Sequence, residues 1–139
     1  MKIVIDTSVW ISALITKESK AREILRLVFN KKLFPQIGDA LFKEYESVMK
    51  RKKIQTLTSL TTDEQTKLFN AYLSTCKYNE IYYTWRPNLI DEGDNFLVEL
   101  AVASGAEFIL TYNIKDFISS ELTFSHRIMT PEDFIKEIS

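Results

Sequence analysis

The chain has 139 residues, of which 45% are hydrophobic and 27% charged, and its formal net charge is −1. These values indicate one globular domain over residues 1–139, and three glycines and three prolines argue against disorder and against a loop-rich β fold. The lone Cys76 excludes an internal disulfide and fits a reducing compartment. No apolar stretch reaches the length of a membrane span, and the chain starts directly in a predicted strand without a secretory signal. We therefore expect a cytoplasmic protein with no membrane association.

Charge is distributed unevenly along the chain. Residues 1–53 contain 12 lysines and arginines against 6 acidic residues, whereas residues 54–139 contain 6 against 13. A basic half and an acidic half on one small domain can bring a phosphate-attracting surface next to a cation site. Two solvated faces without any partner are an equal alternative on the sequence alone.

The first predicted strand is the element around which we interpret the rest. Ile3, Val4 and Ile5 form an apolar run without polar alternation, which is typical of a strand buried on both faces of a parallel sheet. The run ends at Asp6. Ligands of open α/β sheets bind at the carboxyl ends of the strands, often beside a topological switch point. Asp6 is therefore a candidate metal ligand.

The following segments predict helices over residues 8–15 and 19–30, a strand over 33–37, and a helix from its cap Asp39 to about Lys53. In this last helix Glu44 falls at the edge of the apolar stripe, beside Val48. A carboxylate half inside an apolar face is costly unless something compensates it. Glu44 is therefore a second candidate ligand.

A run of three cations, Arg51, Lys52 and Lys53, closes the predicted helix. Cations are favourable at the carboxyl end of a helix because they interact with its dipole. The same run can contact a phosphate backbone, and the two interpretations are compatible.

Residues 61–76 predict an amphipathic helix that begins with a capping box, formed either by Thr61 with Glu64 or by Thr62 with Gln65. Its predicted buried face consists of Leu68, Phe69, Tyr72, Leu73 and Cys76. On this face Cys76 is a core residue rather than a nucleophile. Residues 78–85 predict a further strand or an extended segment.

A second acidic segment, residues 91–95, opens a very apolar helix that ends before Gly105. Asp94 falls on the inward side of the helical wheel, while Glu99 is expected at the surface. A single aspartate here would be an ordinary helix cap. Because Asp91, Glu92 and Asp94 occur within four residues, the segment favours a site.

Polar oxygen ligands also follow a later apolar strand, predicted over residues 108–111. They are Asn113 and Asp116. His126 is the only histidine, and without a second histidine or a cysteine partner it is a poor metal ligand or triad member. Thr130 is the predicted cap of a final helix.

Strands that alternate with helices predict an α/β fold with a mostly parallel central sheet. Acidic or amide side chains recur at the ends of these elements: Asp6, Glu44, Asp91, Asp94, Asn113 and Asp116. Clustered carboxylates repel one another, and a hard cation removes the repulsion. Oxygen ligands alone favour Mg²⁺ or Mn²⁺ over zinc, and such a site suits phosphodiester hydrolysis.

In this order the motifs resemble those of PIN-domain nucleases, most closely the VapC-type toxins of bacterial and archaeal toxin–antitoxin pairs. The resemblance covers nearly the whole chain. It rests on residues 3–8 (IVIDTS), 41–45 (LFKEY), 91–101 (DEGDNFLVELA) and 109–117 (ILTYNIKDF). Each segment is weak alone, but their order and spacing are fairly specific. The resemblance implies a three-layer α/β/α PIN-like fold.

The resemblance also implies roles for the matched residues. The metal-binding and catalytic acids would be Asp6, Glu44 and Asp94. The family's fourth acid often stands where this chain has Asn113, which leaves Asp116 as its substitute and either residue as the fourth ligand. Asp91 would be an outer ligand or would bind a second metal. The hydroxyls that would orient Asp6 or a metal-bound water belong to Thr7, Ser8 and Thr111.

The function implied is a Mg²⁺- or Mn²⁺-dependent endoribonuclease that leaves a 5′-phosphate and a 3′-hydroxyl, forms a homodimer and is silenced by an antitoxin protein. A phosphatase-type α/β protein is a weaker alternative, because it needs a second aspartate two positions after Asp6, where this chain has Ser8. The chain also lacks a P-loop glycine pattern. A PIN-like RNA-binding or assembly module with little or no activity is the other alternative, which Asn113 keeps open.

Overall fold

The structure is a computed structural model that describes residues 1–81, 92–114 and 127–138, with the backbone alone described for residues 92–95. The strands in these ranges are β1 (Lys2–Ile5), β2 (Phe34–Ile37), β3 (Lys77–Tyr78), β4 (Phe108–Leu110) and β5 (Ile128–Met129). The helices are α1 (Thr7–Ile15), α2 (Lys20–Phe29), α3 (Asp39–Met49), α4 (Lys52–Leu57), α5 (Thr62–Thr75), α6 (Glu92–Ser104) and α7 (Pro131–Ile138).

The five strands form one parallel sheet in the order β3-β2-β1-β4-β5. Helices flank this sheet in a three-layer α/β/α arrangement, as predicted. The central strand β1 has its apolar residues Ile3, Val4 and Ile5 fully buried, as expected for a strand covered on both faces.

The order of the strands creates a switch point beside β1. The chain passes from β1 to β2 on one side of it and later returns to β4 on the other side. In the β1–β4 pair Ile5 is in register with Leu110, so the two strands end at the same level. The residues that follow these ends, Asp6 and Thr111, are thereby brought together.

The predicted helix from Asp39 to about Lys53 is wrong at both ends. The residue at the N-cap position is Gly38, and Asp39 is the first residue of α3. The helix stops at Met49, and a separate helix, α4, begins at Lys52. The break redirects the chain so that Ile54 enters the core and the Gln55 side chain donates to the carbonyl of Met49 at 2.5 Å. The cations therefore begin α4 rather than closing α3.

Helix α5 begins with the capping box of Thr61 and Glu64, which resolves the predicted alternatives. Its buried positions include Gln65, which an apolar pattern does not predict because the residue is polar. Gln65 can be buried because its amide forms hydrogen bonds with the Gln55 side chain and the carbonyl of Leu60. The expected core residues Leu68, Leu73 and Cys76 are only partly buried. Of the strand or extended segment predicted over residues 78–85, Tyr78 belongs to β3, and residues 82–85 lie outside the described part of the chain.

Helix α6 packs against β1, β2, β4 and α3. This enclosure explains why the prediction of a surface position for Glu99 is wrong: the residue is partly buried, and one of its carboxyl oxygens is inaccessible to solvent. Within the ranges that the structure covers, no helix is both long enough and apolar enough to cross a bilayer.

Candidate active site

A small cavity opens at the carboxyl ends of β1 and β4. It has a volume of about 230 Å³. Its polar lining includes Asp6, Glu44, Asn113 and Arg51, and its apolar wall is made by Ile11, Val48 and Phe96. Residues that are far apart in the chain thus share one space at the edge of the sheet where ligands of open α/β folds bind.

Asp6 is the most constrained side chain of this cavity, with 8% of its surface exposed. It is the N-cap of α1, and its Oδ1 accepts a hydrogen bond from the backbone N–H of Thr7 at 2.8 Å. Its Oδ2 accepts hydrogen bonds from the Ser8 hydroxyl at 2.9 Å and from the Thr111 hydroxyl at 2.6 Å. The Thr7 hydroxyl lies 3.4 Å from Oδ1 and makes a weaker contact.

The directions of these hydrogen bonds are set by the backbone beyond β4. The N–H of Tyr112 donates to the Ser8 hydroxyl oxygen at 3.0 Å, and the N–H of Asn113 donates to that of Thr111 at 2.9 Å. Each hydroxyl therefore accepts from the backbone and directs its own hydrogen to Asp6. The Asp6 carboxylate is thus held in one orientation by Thr7 and Ser8, which follow β1, and by Thr111, which follows β4.

Glu44 reaches the cavity from α3, on the side of the helix that also carries Val48. The next residue, Tyr45, is fully buried, and its hydroxyl donates to the backbone carbonyl of Ile5. This bond ties α3 to the end of β1 directly beside both acids. Sequence patterns did not indicate this role of Tyr45, because a long-range hydrogen bond leaves no local signal.

Asn113 and Arg51 lie on the exposed side of the cavity. Among the described residues, side-chain ion pairs join Lys20 to Glu23 at 3.3 Å and Lys67 to Asp63 at 3.2 Å. Arg51 thus lines the same cavity as Asp6 and Glu44 without forming an ion pair with either.

Several of the predicted ligands are not among the described side chains. Asp91, Asp116 and the lone histidine His126 lie outside the described residues. Asp94 belongs to the first turn of α6, whose Phe96 lines the cavity, but its side chain is not described. Among the described side chains, no group of three or more acidic, histidine or cysteine residues could hold a metal ion. The acids with described side chains that share the cavity are Asp6 and Glu44.

A family model described as PIN domain matches residues 2–115, which is most of the chain. The chain belongs to the PIN-domain family. No curated protein matches the sequence at a significant level. PIN domains are generally nucleases that use divalent metals, and the match includes Asp6, Glu44, Asp94 and Asn113.

The described donors of this PIN domain fit a hard divalent cation. Asp6 and Glu44 supply carboxylate oxygens and Asn113 an amide oxygen, and among the described residues neither histidine nor cysteine lines the cavity. Oxygen donors of this kind suit Mg²⁺ or Mn²⁺, which retain several waters and need few protein ligands. The hydroxyls on Asp6 are outer partners of the kind that orient a ligating carboxylate.

Proposed function

We propose that this PIN domain is a metal-dependent endoribonuclease. The observation that carries the proposal is the shared cavity of Asp6 and Glu44, in which the Asp6 carboxylate is held by hydroxyls of Ser8 and Thr111. Two acids from separate elements, oriented toward one polar space at a sheet switch point, are what a cation site for phosphodiester chemistry requires. Asp94 and either Asn113 or Asp116 complete the proposed ligand set, and Asp91 is its outer acid.

The proposed reaction is hydrolysis of an RNA phosphodiester. The water oxygen bonds to phosphorus, the bond from phosphorus to the 3′ oxygen breaks, and a proton ends on that oxygen, so that the products carry a 5′-phosphate and a 3′-hydroxyl. When bound, Mg²⁺ or Mn²⁺ would supply the Lewis acidity that activates the water and offsets phosphate charge. The chain itself holds the Asp6 carboxylate in one orientation through the hydroxyls of Ser8 and Thr111.

Substitution of the acids tests the enzyme assignment. We expect Asp6→Asn, Glu44→Gln and Asp94→Asn each to reduce Mn²⁺-dependent cleavage of a labelled single-stranded RNA at least about 100-fold, because each removes a charge that holds the cation. Asp63→Asn is the matched control, since Asp63 lies on the exposed face of α5 and its ion-pair partner among the described residues is Lys67. Retained cleavage in purified, folded Asp6→Asn would refute the assignment.

Thermal unfolding separates the enzyme from an inactive module. A ligand that binds only the folded state stabilises it by RT ln(1 + [L]/Kd), which is about 2.7 kcal/mol at a concentration of 100 Kd. We expect millimolar Mn²⁺ to raise the Tm of the wild type but not of Asp6→Asn. An unchanged Tm together with RNA binding would favour a PIN-like RNA-binding or assembly module, in which Asn113 replaces the acid.

The proposal extends to the biological role suggested by the sequence resemblance, that of a cytoplasmic toxin which forms a homodimer and is neutralised by an antitoxin protein. Induced expression of the wild type is then expected to arrest growth, and Asp6→Asn is expected not to. Co-expression with the product of an adjacent small reading frame should restore growth and should yield a complex on size-exclusion chromatography. Growth unaffected by an active enzyme would contradict the toxin role while leaving the nuclease assignment intact.

A further inference from the structure

We propose that Arg51 binds the scissile phosphate of the RNA and stabilises its negative charge during cleavage. This inference rests on the proposed nuclease function and adds a specific residue to it. Arg51 lines the cavity that contains Asp6 and Glu44, whereas the neighbouring cations Lys52 and Lys53 do not. The sequence pattern does not distinguish these three cations, whereas in the structure Arg51 alone of the three lines the cavity.

The backbone around Arg51 is fixed by the junction of α3 and α4. Its N–H donates to the carbonyl of Val48 at 3.2 Å, and its own carbonyl accepts from the N–H groups of Ile54 and Gln55 at 3.0 and 3.1 Å. Ile54 is anchored in the core with 7% of its surface exposed. The arginine therefore extends from a rigid base at the cavity rim rather than from a loose helix end.

The guanidinium of Arg51 is available for a ligand. The residue is exposed, and within the described part of the chain its side chain forms neither a hydrogen bond nor an ion pair. The carboxylates of the cavity would repel a phosphodiester, and a bound divalent cation would offset them. A second positive group on the open side provides what such a site still needs, namely a contact to the nonbridging phosphate oxygens.

Arginine suits this role better than lysine. Its planar guanidinium presents parallel N–H donors that match two phosphate oxygens, and it is weakly hydrated. Donors directed at the developing charge of a transition state typically contribute about 100- to 1,000-fold to the rate. Arg51 is therefore expected to affect kcat, whereas cations outside the cavity that contact flanking phosphates are expected to affect KM.

The test compares Arg51→Ala and Arg51→Lys with Arg26→Ala, a control that removes an arginine from α2, outside the cavity. With saturating Mn²⁺ and a labelled single-stranded RNA, we expect Arg51→Ala to lower kcat about 100-fold and Arg51→Lys to recover only part of it. Arg26→Ala should stay within about twofold of the wild type. Far-UV circular dichroism and Tm establish folding, and Arg51→Gln is the replacement if the alanine variant unfolds.

A binding measurement adds a readout that does not require turnover. In the Asp6→Asn background, Arg51→Ala should weaken binding of the uncleaved RNA and should reduce the slope of log K against log salt by about 0.7, the value for one phosphate contact on a single strand. An unchanged slope would overturn the phosphate contact.

The outcomes distinguish this inference from the proposed function. If Arg51→Ala keeps kcat within about threefold while Asp6→Asn is inactive, the arginine proposal fails and the nuclease stands. If Arg51→Ala binds Mn²⁺ more tightly and cleaves faster, Arg51 is a counter-ion that competes with the metal, and the proposal is again overturned. A wild type that neither cleaves RNA nor responds to Mn²⁺ overturns both.

Discussion

The Tyr45 hydroxyl donates a hydrogen bond to the backbone carbonyl of Ile5, and these two residues are the direct neighbours of Glu44 and Asp6. Because a phenol has one hydrogen, the Tyr72 hydroxyl at 2.9 Å must donate to Tyr45 rather than accept from it. Burial raises the pKa of both tyrosines well above the usual value, so both remain donors at any pH of interest. The relay fixes α3 against β1 at the site.

We predict that Tyr45→Phe lowers the free energy of unfolding by about 1–3 kcal/mol and reduces kcat for RNA cleavage, because it removes a buried hydrogen bond and the tie between the elements that carry the acids. Tyr72→Phe is the matched control, since it loses a bond to Tyr45 but leaves the bond to Ile5 in place. Urea denaturation and steady-state kinetics measure the two effects. Equal kcat for the two variants would contradict a positioning role.

Thr111→Val removes the 2.6 Å hydrogen bond to Asp6 and the acceptor of the Asn113 N–H while preserving the shape of the side chain. Outer partners of a ligating carboxylate typically contribute about 10- to 100-fold to metal affinity or activity, and we expect a loss in that range. Thr66→Val is the control, because the Thr66 hydroxyl donates to the carbonyl of Thr62 on an exposed face of α5. Mn²⁺ titrations in which the two variants behave alike would argue against the network.

The Cys76 thiol is expected to make the stability of the folded chain depend on pH. Burial is the largest influence on the thiol and raises its pKa from 9.0 to about 12. The unfolded chain releases this proton from about pH 9 upward, whereas the folded chain retains it until about pH 12. The stabilisation of the folded chain that results from this pKa difference is therefore fully present below about pH 9 and is lost as the pH rises toward about 12.

Between pH 8 and pH 10 the free energy of unfolding should therefore fall by about 1.4 kcal/mol less for Cys76→Ala than for the wild type. This difference corresponds to the release of one proton over roughly one pH unit. Tyr45 and Tyr72 also lose stabilising effect as the pH rises, but they do so in both the wild type and Cys76→Ala. The difference between the two pH profiles therefore reports on Cys76. Urea denaturation at the two pH values measures it. Parallel pH profiles would show that the thiol titrates alike in the folded and unfolded chains.

Gly105 ends α6 with a φ of +73°, in the left-handed region that the sequence predicted for this helix end. A Cβ at this position would meet no atom within 4 Å, so the cost of a substitution is one of backbone conformation alone. We expect Gly105→Ala to lower the free energy of unfolding by about 1–2 kcal/mol, and Gly105→Asn to cost less because asparagine tolerates this region. Thermal unfolding in which alanine is as stable as glycine would disprove the interpretation.

Much of the fold could be predicted because it depends on local patterns. Buried strands such as β1 and β4 are continuous apolar runs, and helix starts such as Thr61 carry their own cap residues. The break between α3 and α4 could not be predicted, because no glycine or proline marks it and its compensation comes from Ile54 in the core and from Gln55. Local propensity was overridden there by packing.

By itself the sequence determined the order of the elements, the strands that are buried on both faces and the positions at their ends where acidic side chains occur, because spacing along the chain reports directly on local geometry. Only the tertiary structure decided that Asp6 receives a hydrogen bond from Thr111, 105 residues away, and that Tyr45 bonds to Ile5 across 40 residues. It also decided that Arg51, alone among its basic neighbours, borders the cavity. Such contacts depend on strand register and helix packing, which bring together residues whose separation in the chain leaves no periodic signal.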